Sequence, residues 1–220
     1  MKRLAYKHSM CYNNAYMQIY ATLYALFYFC MRYIKKEVHF MEKERACAIT
    51  GHRPSRFKFK YSEDYSLCKK IKATMLEVLR KLHDEKEIRC FYVGGALGVD
   101  MWAAEQILRL KEQPGYEDIE LVVVLPFVGH DAKWDQRSKR RMEFILQHCS
   151  KKEVIGNEDC RESYVKRNCY MVDQADYLVA VYDDNRNMRS GTMQCVRYAR
   201  KKQVPVILIH PDTARCYDRK

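Results

Sequence analysis

Three closely spaced glycines, Gly94, Gly95 and Gly98, lie between an apolar segment and a helical pattern. They follow the apolar segment Phe91–Val93 and precede a helical pattern that begins near Asp100. A strand that ends in glycines directly before a helix is how α/β proteins build a phosphate cradle, because backbone N–H groups and the helix dipole both favour an anion. The GGxxG spacing matches neither the P-loop nor GxGxxG. We therefore expect a nucleotide-type ligand here, and the alternative is a tight turn without a ligand.

Two acidic residues belong to the helix that follows these glycines. Asp100 either caps the helix or reaches the hydroxyls of a ribose, and ribose is the better ligand group because a carboxylate repels phosphate. Glu105 falls about one turn further along the same helix. It is either a solvated helix residue or a functional acid.

A second loop with side chains suited to ligand binding follows the apolar segment that begins at Ala46. Thr50, Gly51, His52 and Arg53 place a hydroxyl, a glycine, an imidazole and a guanidinium in succession. Arg53 is suited to bidentate phosphate contact. His52 either hydrogen-bonds a ligand or stabilises the turn, and a lone histidine is more often structural.

Ser190, Gly191 and Thr192 open another helical pattern, which continues to Lys202. Ser190 or Thr192 can cap this helix, and Gly191 permits close approach of an anion to the backbone. Ordinary capping explains this pattern equally well when it is taken alone. Together with the first glycine loop, it indicates a second anion-binding helix terminus.

The segment Lys133–Arg141 contains five basic residues beside Trp134. A solvated helix face is the simplest interpretation of such a charge run. The alternative is a site for nucleic acid or a second phosphate, where basic and aromatic side chains act together.

Composition favours one well-filled domain with an anionic partner. The chain has 220 residues, 48% of them hydrophobic, and a net charge of +12. This charge suits an anionic ligand, a nucleic acid or an acidic membrane surface without choosing among them. The ten cysteines form no CxxC pair and no zinc-type cluster with histidine. They indicate free thiols in a reducing, cytoplasmic compartment, and no metal or cofactor is expected.

Residues 1–40 differ in character from residues 41–220, which form the expected folded domain. Ser9–Met31 is an uncharged run of 23 residues with basic residues on both sides. That length can span a bilayer, but Asn13, Asn14 and Gln18 interrupt its apolar character. The segment is either an accessory helical extension, a stretch upstream of a true start at Met41, or a membrane anchor.

From residue 41 onward, continuously apolar segments alternate with helical patterns. This combination indicates a parallel sheet covered by helices on both faces, a three-layer α/β/α fold. Ligands of such sheets bind at the carboxyl ends of the strands, where the loops described above converge. The predicted strands are Ala46–Thr50, Arg89–Val93, Glu120–Leu125, Glu153–Ile155, Tyr177–Tyr182 and Val204–Ile209. The predicted helices are Ser62–Glu85, Asp100–Glu112, Asp135–His148, Arg161–Gln174 and Thr192–Lys202, and Ser62 is the expected N-cap of the first of them.

Several short motifs occur in order along residues 41 to about 211. They are CAITGHRP at 47–54, GGALGVDMWAAE at 94–105, PF at 126–127 with Trp134 downstream, YVKRN at 164–168, MVDQADYLVAVYD at 171–183 and SGT at 190–192. Together they resemble the YpsA-like branch of the SLOG superfamily, a Rossmann-like group with a mostly parallel sheet, related to the LOG phosphoribohydrolases and to the DNA-processing protein DprA. The resemblance implies a pocket for a nucleotide or an ADP-ribose-like compound, in a binding or sensor-type protein linked to cell division or stress.

LOG enzymes cleave the N-glycosidic bond of nucleoside monophosphates, and the similarity to them can be followed residue by residue. Arg167 looks like their arginine, with Asn168 in place of a lysine, and Gly191 and Thr192 look like their GT pair. Their glutamate would fall at position 195, where this chain has Cys195. The carboxylate role is then unfilled unless Glu105 or Asp100 supplies it.

The sequence thus predicts three functions in order of preference. Binding or sensing of a nucleotide-derived ligand comes first, hydrolysis with Arg167 and Glu105 as candidate catalytic residues second, and DprA-like binding of single-stranded DNA third. The oligomeric state stays open, with a homo-oligomer as one option, and a membrane partner depends on residues 9–31. The predicted ligand-binding residues are Thr50, Gly51, His52, Arg53, Gly94, Gly95, Gly98, Asp100, Glu105, Arg167, Asn168, Ser190, Gly191 and Thr192.

Overall fold

The computed structural model describes residues 45–185 and 189–217. The expected N-terminal segment at residues 1–40, including residues 9–31, lies outside them. The strands are β1 Ala46–Gly51, β2 Cys90–Val93, β3 Glu120–Leu125, β4 Lys151–Val154, β5 Tyr177–Val181, β6 Val206–Ile209 and β7 Cys216–Tyr217. The helices are α1 Ser66–Lys86, α2 Val99–Lys111, α3 Gln136–His148, α4 Arg161–Gln174 and α5 Gly191–Lys201, and Pro54–Arg56 forms a short 3-10 helix.

The strands form one sheet in the order β4-β3-β2-β1-β5-β6-β7. All neighbouring strands pair in parallel except β6 and β7, which are antiparallel. From β1 the chain adds β2, β3 and β4 on one side and then returns to place β5 on the other side, so the strand order reverses between β1 and β5. The predicted α/β fold with a mostly parallel, Rossmann-like sheet is confirmed.

The core consists of two apolar layers, one on each face of the sheet. One layer includes Ile49 of β1 and packs against α1, α2 and α3, and the other includes Ala48 of the same strand and packs against α4 and α5. Successive side chains of a strand point to opposite faces, so a strand that is buried on both faces is apolar at every position. This is why the central strands could be recognised as continuous apolar runs.

Helix α1 begins at Ser66, so the predicted N-cap at Ser62 is wrong. The amide of Ser62 instead donates to the carbonyl of Phe59 within a series of turns. Phe57 and Phe59 stack with their ring centroids 4.9 Å apart, and both rings contact Trp102 of α2. This tertiary packing of aromatic rings overrides the local capping preference.

The two outer strands differ most from the prediction. Strand β4 begins at Lys151 instead of Glu153, because Lys151 already pairs with Val122 of β3. At the edge of a sheet, polar side chains face water on one side, so the apolar signal of β4 is weak. Strand β7 is only two residues long, and its sequence carries no apolar run that could predict it.

Among the described residues, Cys47, Cys68, Cys149, Cys160, Cys169 and Cys195 are free thiols. In the same residues, no helix combines the length and the apolar character needed to cross a membrane.

Candidate functional site

A cavity of about 1400 Å³ opens at the carboxyl ends of β1 and β5, where the strand order reverses. Ligands of open parallel sheets bind at this position. The segments after β1 and β5 and the first turns of α4 form most of its walls. The lining residues are Thr50, Gly51, His52, Arg53, Ser55, Arg56, Ala96, Asp100, Asp159, Cys160, Arg161, Tyr164, Val165, Arg167, Asn168, Arg189, Ser190, Gly191, Thr192, Met193, Gln194 and Arg197.

The structure brings most of the predicted site residues together in this cavity. Those that line it are Thr50, Gly51, His52, Arg53, Asp100, Arg167, Asn168, Ser190, Gly191 and Thr192. Gly94, Gly95, Gly98 and Glu105 are not among the lining residues. The first glycine loop therefore contributes to the cavity mainly through Asp100, which follows it, and through Ala96 within it.

The N-terminus of α5 is open to the cavity. The hydroxyl of Ser190 caps the helix by accepting a 3.0 Å hydrogen bond from the amide of Met193. The amides of Gly191 and Thr192 have no acceptor within the helix, because the first N–H groups of any α-helix lack one. Among the described residues, a Cβ on Gly191 would meet only the side-chain nitrogen Nδ2 of Asn168, at 3.5 Å. These features make the terminus a suitable anion-binding position.

Side chains of the protein occupy the space next to Gly94, the first glycine of the β2–α2 loop. The carbonyl of Gly94 accepts a hydrogen bond from Nη1 of Arg167. A Cβ on Gly94 would overlap this nitrogen and would lie 2.6 Å from Oδ2 of Asp100. Gly94 is therefore required for the close approach of the Arg167 guanidinium to the backbone.

The other two glycines of this loop also face protein atoms. Gly95 has a φ of 63°, and its carbonyl lies 3.0 Å from Nε2 of His130. Gly98 has a φ of 94°, and a Cβ there would lie 2.8 Å from the carbonyl oxygen of His52. Positive φ and close packing explain both glycines. Protein atoms occupy the positions that a Cβ would take at all three glycines, so the structure explains these glycines without a ligand, and phosphate binding by this loop stays a prediction.

Asp100 and Arg167 form a buried ion pair below the cavity. Each residue is 6% exposed, and Nη1 of Arg167 lies 3.5 Å from Oδ2 of Asp100. Burial raises the pKa of Asp100, and the charge of Arg167 opposes this shift. Burial likewise lowers the pKa of Arg167, and Asp100 opposes it. Each charge thus offsets part of the other's desolvation.

The hydrogen-bonding capacity of Arg167 is only partly used within the described residues. Its Nη1 donates to Gly94 and contacts Asp100, but its buried Nε has no acceptor. A guanidinium has five N–H donors. The site therefore contains a buried cation with donors to spare beside a cavity.

His52 combines a structural position with a place on the cavity wall. It is 7% exposed, and its ring packs edge-to-face against Phe57 and Tyr182. Burial lowers the pKa of His52, and Asp183, 3.6 Å from its Nε2, opposes this shift. The imidazole is therefore held mainly by aromatic packing.

Glu105 belongs to a charge network outside the cavity. Its Oε1 lies 2.7 Å from Nε of Arg141, whose Nη1 lies 2.7 Å from Oε1 of Glu63. Lys72 also contacts Glu63, at 2.6 Å. Burial raises the pKa of Glu63, but the hydrogen bonds from Arg141 and Lys72 outweigh it and lower the pKa to about 2. The network occupies the carboxylate of Glu105, and it removes Arg141 from the otherwise solvated basic face of α3.

Cys195, where the resemblance to LOG enzymes places their glutamate, is a buried thiol. It is 1% exposed and does not line the cavity. Burial raises the pKa of its thiol to about 12. A neutral, buried thiol provides neither a carboxylate nor a nucleophile at neutral pH.

Five arginines that we call the arginine rim surround the cavity: Arg53, Arg56, Arg161, Arg189 and Arg197. All five are exposed. Sequence reasoning identified only Arg53, since the other four lie in different loops and helices and share no local motif. These five arginines and Arg167 are the arginine and lysine side chains among the lining residues. Within residues 45–185 and 189–217, no group of His, Cys, Asp and Glu side chains could hold a metal ion.

Comparison with known families identifies one match that spans most of the chain. The family model named YpsA, described as the YspA SLOG family, matches residues 47–214. A UPF0398 protein of Staphylococcus epidermidis is 26% identical over 140 residues, which cover 63% of this chain and 72% of the relative. A UPF0398 protein of Bacillus cereus is 28% identical over 145 residues, which cover 64% and 76%.

Among solved structures, the chain is similar to DNA processing protein A from Helicobacter pylori, whose structure was described for its single-stranded DNA binding mode. The TM-score is 0.50 at 20% identity, and the match covers 76% of this chain. The chain spans 66% of that protein, just under two thirds of its length. At this identity, the similarity shows a shared fold.

Proposed function

Because the chain belongs to the YpsA SLOG family, we propose that it binds a nucleotide or a nucleotide-derived ligand such as ADP-ribose in the cavity between β1 and β5. The observation that carries this proposal is the charge around the cavity. Five exposed arginines form its rim, whereas Asp159 is the only exposed acidic residue among the lining residues. Arginine binds phosphate oxygens in a bidentate geometry, and clustered positive charge attracts anions.

The terminus of α5 supports the same ligand class. Its first amides, which have no acceptor within the helix, and the helix dipole add an anion-binding position beside the arginine rim. A cavity of about 1400 Å³ is large enough for a ligand with several phosphate and sugar groups. A sensor role in cell division or stress, as implied by the family resemblance, needs binding alone. The free cysteines fit a cytoplasmic protein.

Ligand-induced stabilisation tests this proposal. The melting temperature of the full chain is measured with increasing ADP-ribose, AMP, NAD and inorganic phosphate. A ligand that binds only the folded state raises stability in proportion to the logarithm of its concentration. We expect a rise with at least one nucleotide-type ligand that exceeds the rise with phosphate.

Two variants make the test specific to the cavity. Arg53→Ala removes one arginine of the rim and is expected to weaken binding by about tenfold. Arg137→Ala removes another exposed arginine, from α3, which contributes no residue to the cavity lining, and is expected to leave binding unchanged. Equal affinities of the two variants, or no stabilisation by any nucleotide, would refute the proposal.

Hydrolysis of an N-glycosidic bond is the second candidate, and the contacts of the nearby carboxylates give it less support than ligand binding. Asp100 is engaged with Arg167, Asp159 is exposed at the rim, and Glu105 is bound by Arg141. Hydrolysis requires a carboxylate that stabilises a sugar cation or activates water. Chromatography after incubation with AMP tests this directly, since free adenine that disappears in Arg167→Ala would favour the hydrolase.

Binding of single-stranded DNA is favoured by one observation, the exposure of all five arginines of the rim. Phosphate contacts of this kind release counterions, so affinity falls steeply with salt. Titration of a labelled oligonucleotide at low and high salt separates this function from the first. If the oligonucleotide does not bind at low salt, this function is excluded. If the oligonucleotide binds, we expect ADP-ribose to compete with it for the same arginines.

A further inference from the structure

Charge is distributed unevenly between the depth and the mouth of the cavity. Its mouth carries the arginine rim, with Asp159 as its acidic member. Its depth is lined by a group that we call the polar floor: Thr50, Asp100, Arg167, Asn168 and Thr192. The members of the polar floor are only 6–8% exposed. They include one cation and one anion, so the floor has no net charge, whereas the rim is strongly positive.

The neutral floor disfavours a phosphate group. A phosphate there would lie close to the buried carboxylate of Asp100, and repulsion between like charges is strongest where water is excluded. The glycine loop offers no alternative position at this depth, because Arg167, His130 and the backbone of His52 contact its glycines. Phosphate is favoured instead at the rim and at the α5 terminus.

The floor provides the polar atoms that bind hydroxyl groups. Oδ2 of Asp100 accepts from the amide of Ala96 at 3.3 Å and contacts Arg167 at 3.5 Å, and the backbone of Gly94 also hydrogen-bonds the carboxylate. Arg167 has donors beyond those used by Gly94 and Asp100. A sugar diol both donates and accepts hydrogen bonds, so it can donate to the carboxylate and accept from the guanidinium.

We propose that the ligand enters with a pentose directed inward, so that its vicinal hydroxyls contact Asp100 and Arg167 while its phosphate stays at the arginine rim. This inference rests on the proposed function, and it adds an orientation and a sugar specificity to it. The recognised unit is a ribose phosphate. A 2-deoxyribose phosphate lacks one of the two hydroxyls and leaves buried polar atoms unpaired, which costs more affinity than the loss of an exposed hydrogen bond.

The test compares ribose 5-phosphate with 2-deoxyribose 5-phosphate on the full wild-type chain by isothermal titration calorimetry, with ADP-ribose measured in parallel. We expect ribose 5-phosphate to bind about tenfold more tightly than its deoxy analogue, the value of one hydrogen bond to a charged group. This ratio is measured on the wild-type protein and needs no variant to fold.

Two variants assign the discrimination to the floor. Asp100→Asn keeps the shape of the side chain but removes its charge, and we expect the ratio between the two sugars to fall toward one. Arg197→Ala changes the rim, so we expect weaker binding of both sugar phosphates with an unchanged ratio. A ratio that falls equally in the two variants would overturn the assignment to Asp100.

The remaining outcomes separate this inference from the proposed function. Equal wild-type affinities for the two sugar phosphates, or binding of ADP-ribose without binding of either, would overturn the inward ribose and leave nucleotide binding intact. No binding of any of the three ligands would refute nucleotide binding, and the inward ribose with it.

Discussion

The β2–α2 loop and the N-terminus of α5 carry similar sequence signals but have opposite surroundings. Both place glycine directly before or within the first turn of a helix at the carboxyl edge of the sheet. The glycines of the first loop contact Arg167, His130 and the backbone of His52. At Gly191 of the second, a Cβ would meet one atom of the part of the chain that the structure describes, at ordinary contact distance, and Gly191 lines the cavity.

The contrast between these two junctions shows how much the glycines between a strand and a helix reveal about ligand binding. Glycine indicates that some group approaches the backbone closely or that φ is positive. It does not indicate whether that group is a ligand phosphate or a side chain of the same protein. In this chain, Gly94 accommodates the arginine that the cavity uses, so the loop acts on the site indirectly.

The largest expected effect comes from adding one methyl group to the first loop. In Gly94→Ala the new Cβ would overlap the guanidinium of Arg167 and approach Asp100. Separating this buried pair is expected to destabilise the fold by about 3 kcal/mol or more. Urea denaturation measures the loss.

The matched substitution at the second helix terminus is Gly191→Ala. Its Cβ would meet Asn168 at 3.5 Å, an ordinary contact, so we expect stability to change by less than about 1 kcal/mol. Ligand affinity is expected to fall, because the methyl group enters the space in front of the helix. Similar stability losses in the two variants would contradict the contrast between these regions.

A smaller effect is expected on the pH dependence of stability, through the contact between His130 and the β2–α2 loop. The carbonyl of Gly95 accepts from Nε2 of His130, and burial lowers the pKa of this histidine, with the Gly95 contact opposing. A histidine with a lowered pKa in the folded state binds protons more readily when the chain is unfolded. Stability is therefore lost as the pH falls through the ordinary histidine pKa of about 6.5.

Denaturation at about pH 7.5 and about pH 5.5 measures this loss. His130→Gln retains a donor for the Gly95 carbonyl but does not titrate, so the drop in stability should be smaller in the variant. A complete loss of the pH dependence is not expected, because burial also lowers the pKa of His52. An unchanged drop would show that His130 does not couple the loop to pH.

The sequence was sufficient to predict the elements in the middle of the sheet. Strand β3 and helix α4 have the predicted bounds, since a run of buried apolar residues and a helical period are local properties. Strand β7 was missed, and β4 was misplaced by two residues, because edge strands depend on pairing with a neighbour more than on their own apolar character. Ser62 failed as a cap for a similar reason, since distant aromatic packing fixes the chain there.

Site residues were predictable where they directly follow a strand. They were not predictable where a contact with a side chain distant in the sequence decides whether they reach the cavity. Arg53 and Asp100 reach the cavity because loops after parallel strands share one edge. Glu105 pairs with Arg141, which is 36 residues away in the chain, and no local sequence pattern indicates that contact. The rim arginines at positions 161, 189 and 197 come from three separate segments, so only the folded sheet brings them together.

The smallest expected effect tests whether the α5 terminus is a ligand site or only a capped helix. Ser190→Ala removes the hydroxyl that accepts from Met193 and is expected to cost about 1 kcal/mol of stability. Asp135 caps α3 with the same geometry through the amide of Ser138, at 3.1 Å and outside the cavity. Asp135→Ala should therefore also lower stability. If the α5 terminus holds the ligand's phosphate, fraying of its first turn weakens binding of ADP-ribose in Ser190→Ala alone. Equal affinities of the two variants would mean that the cap serves the helix and that the anion is bound by the arginines without it.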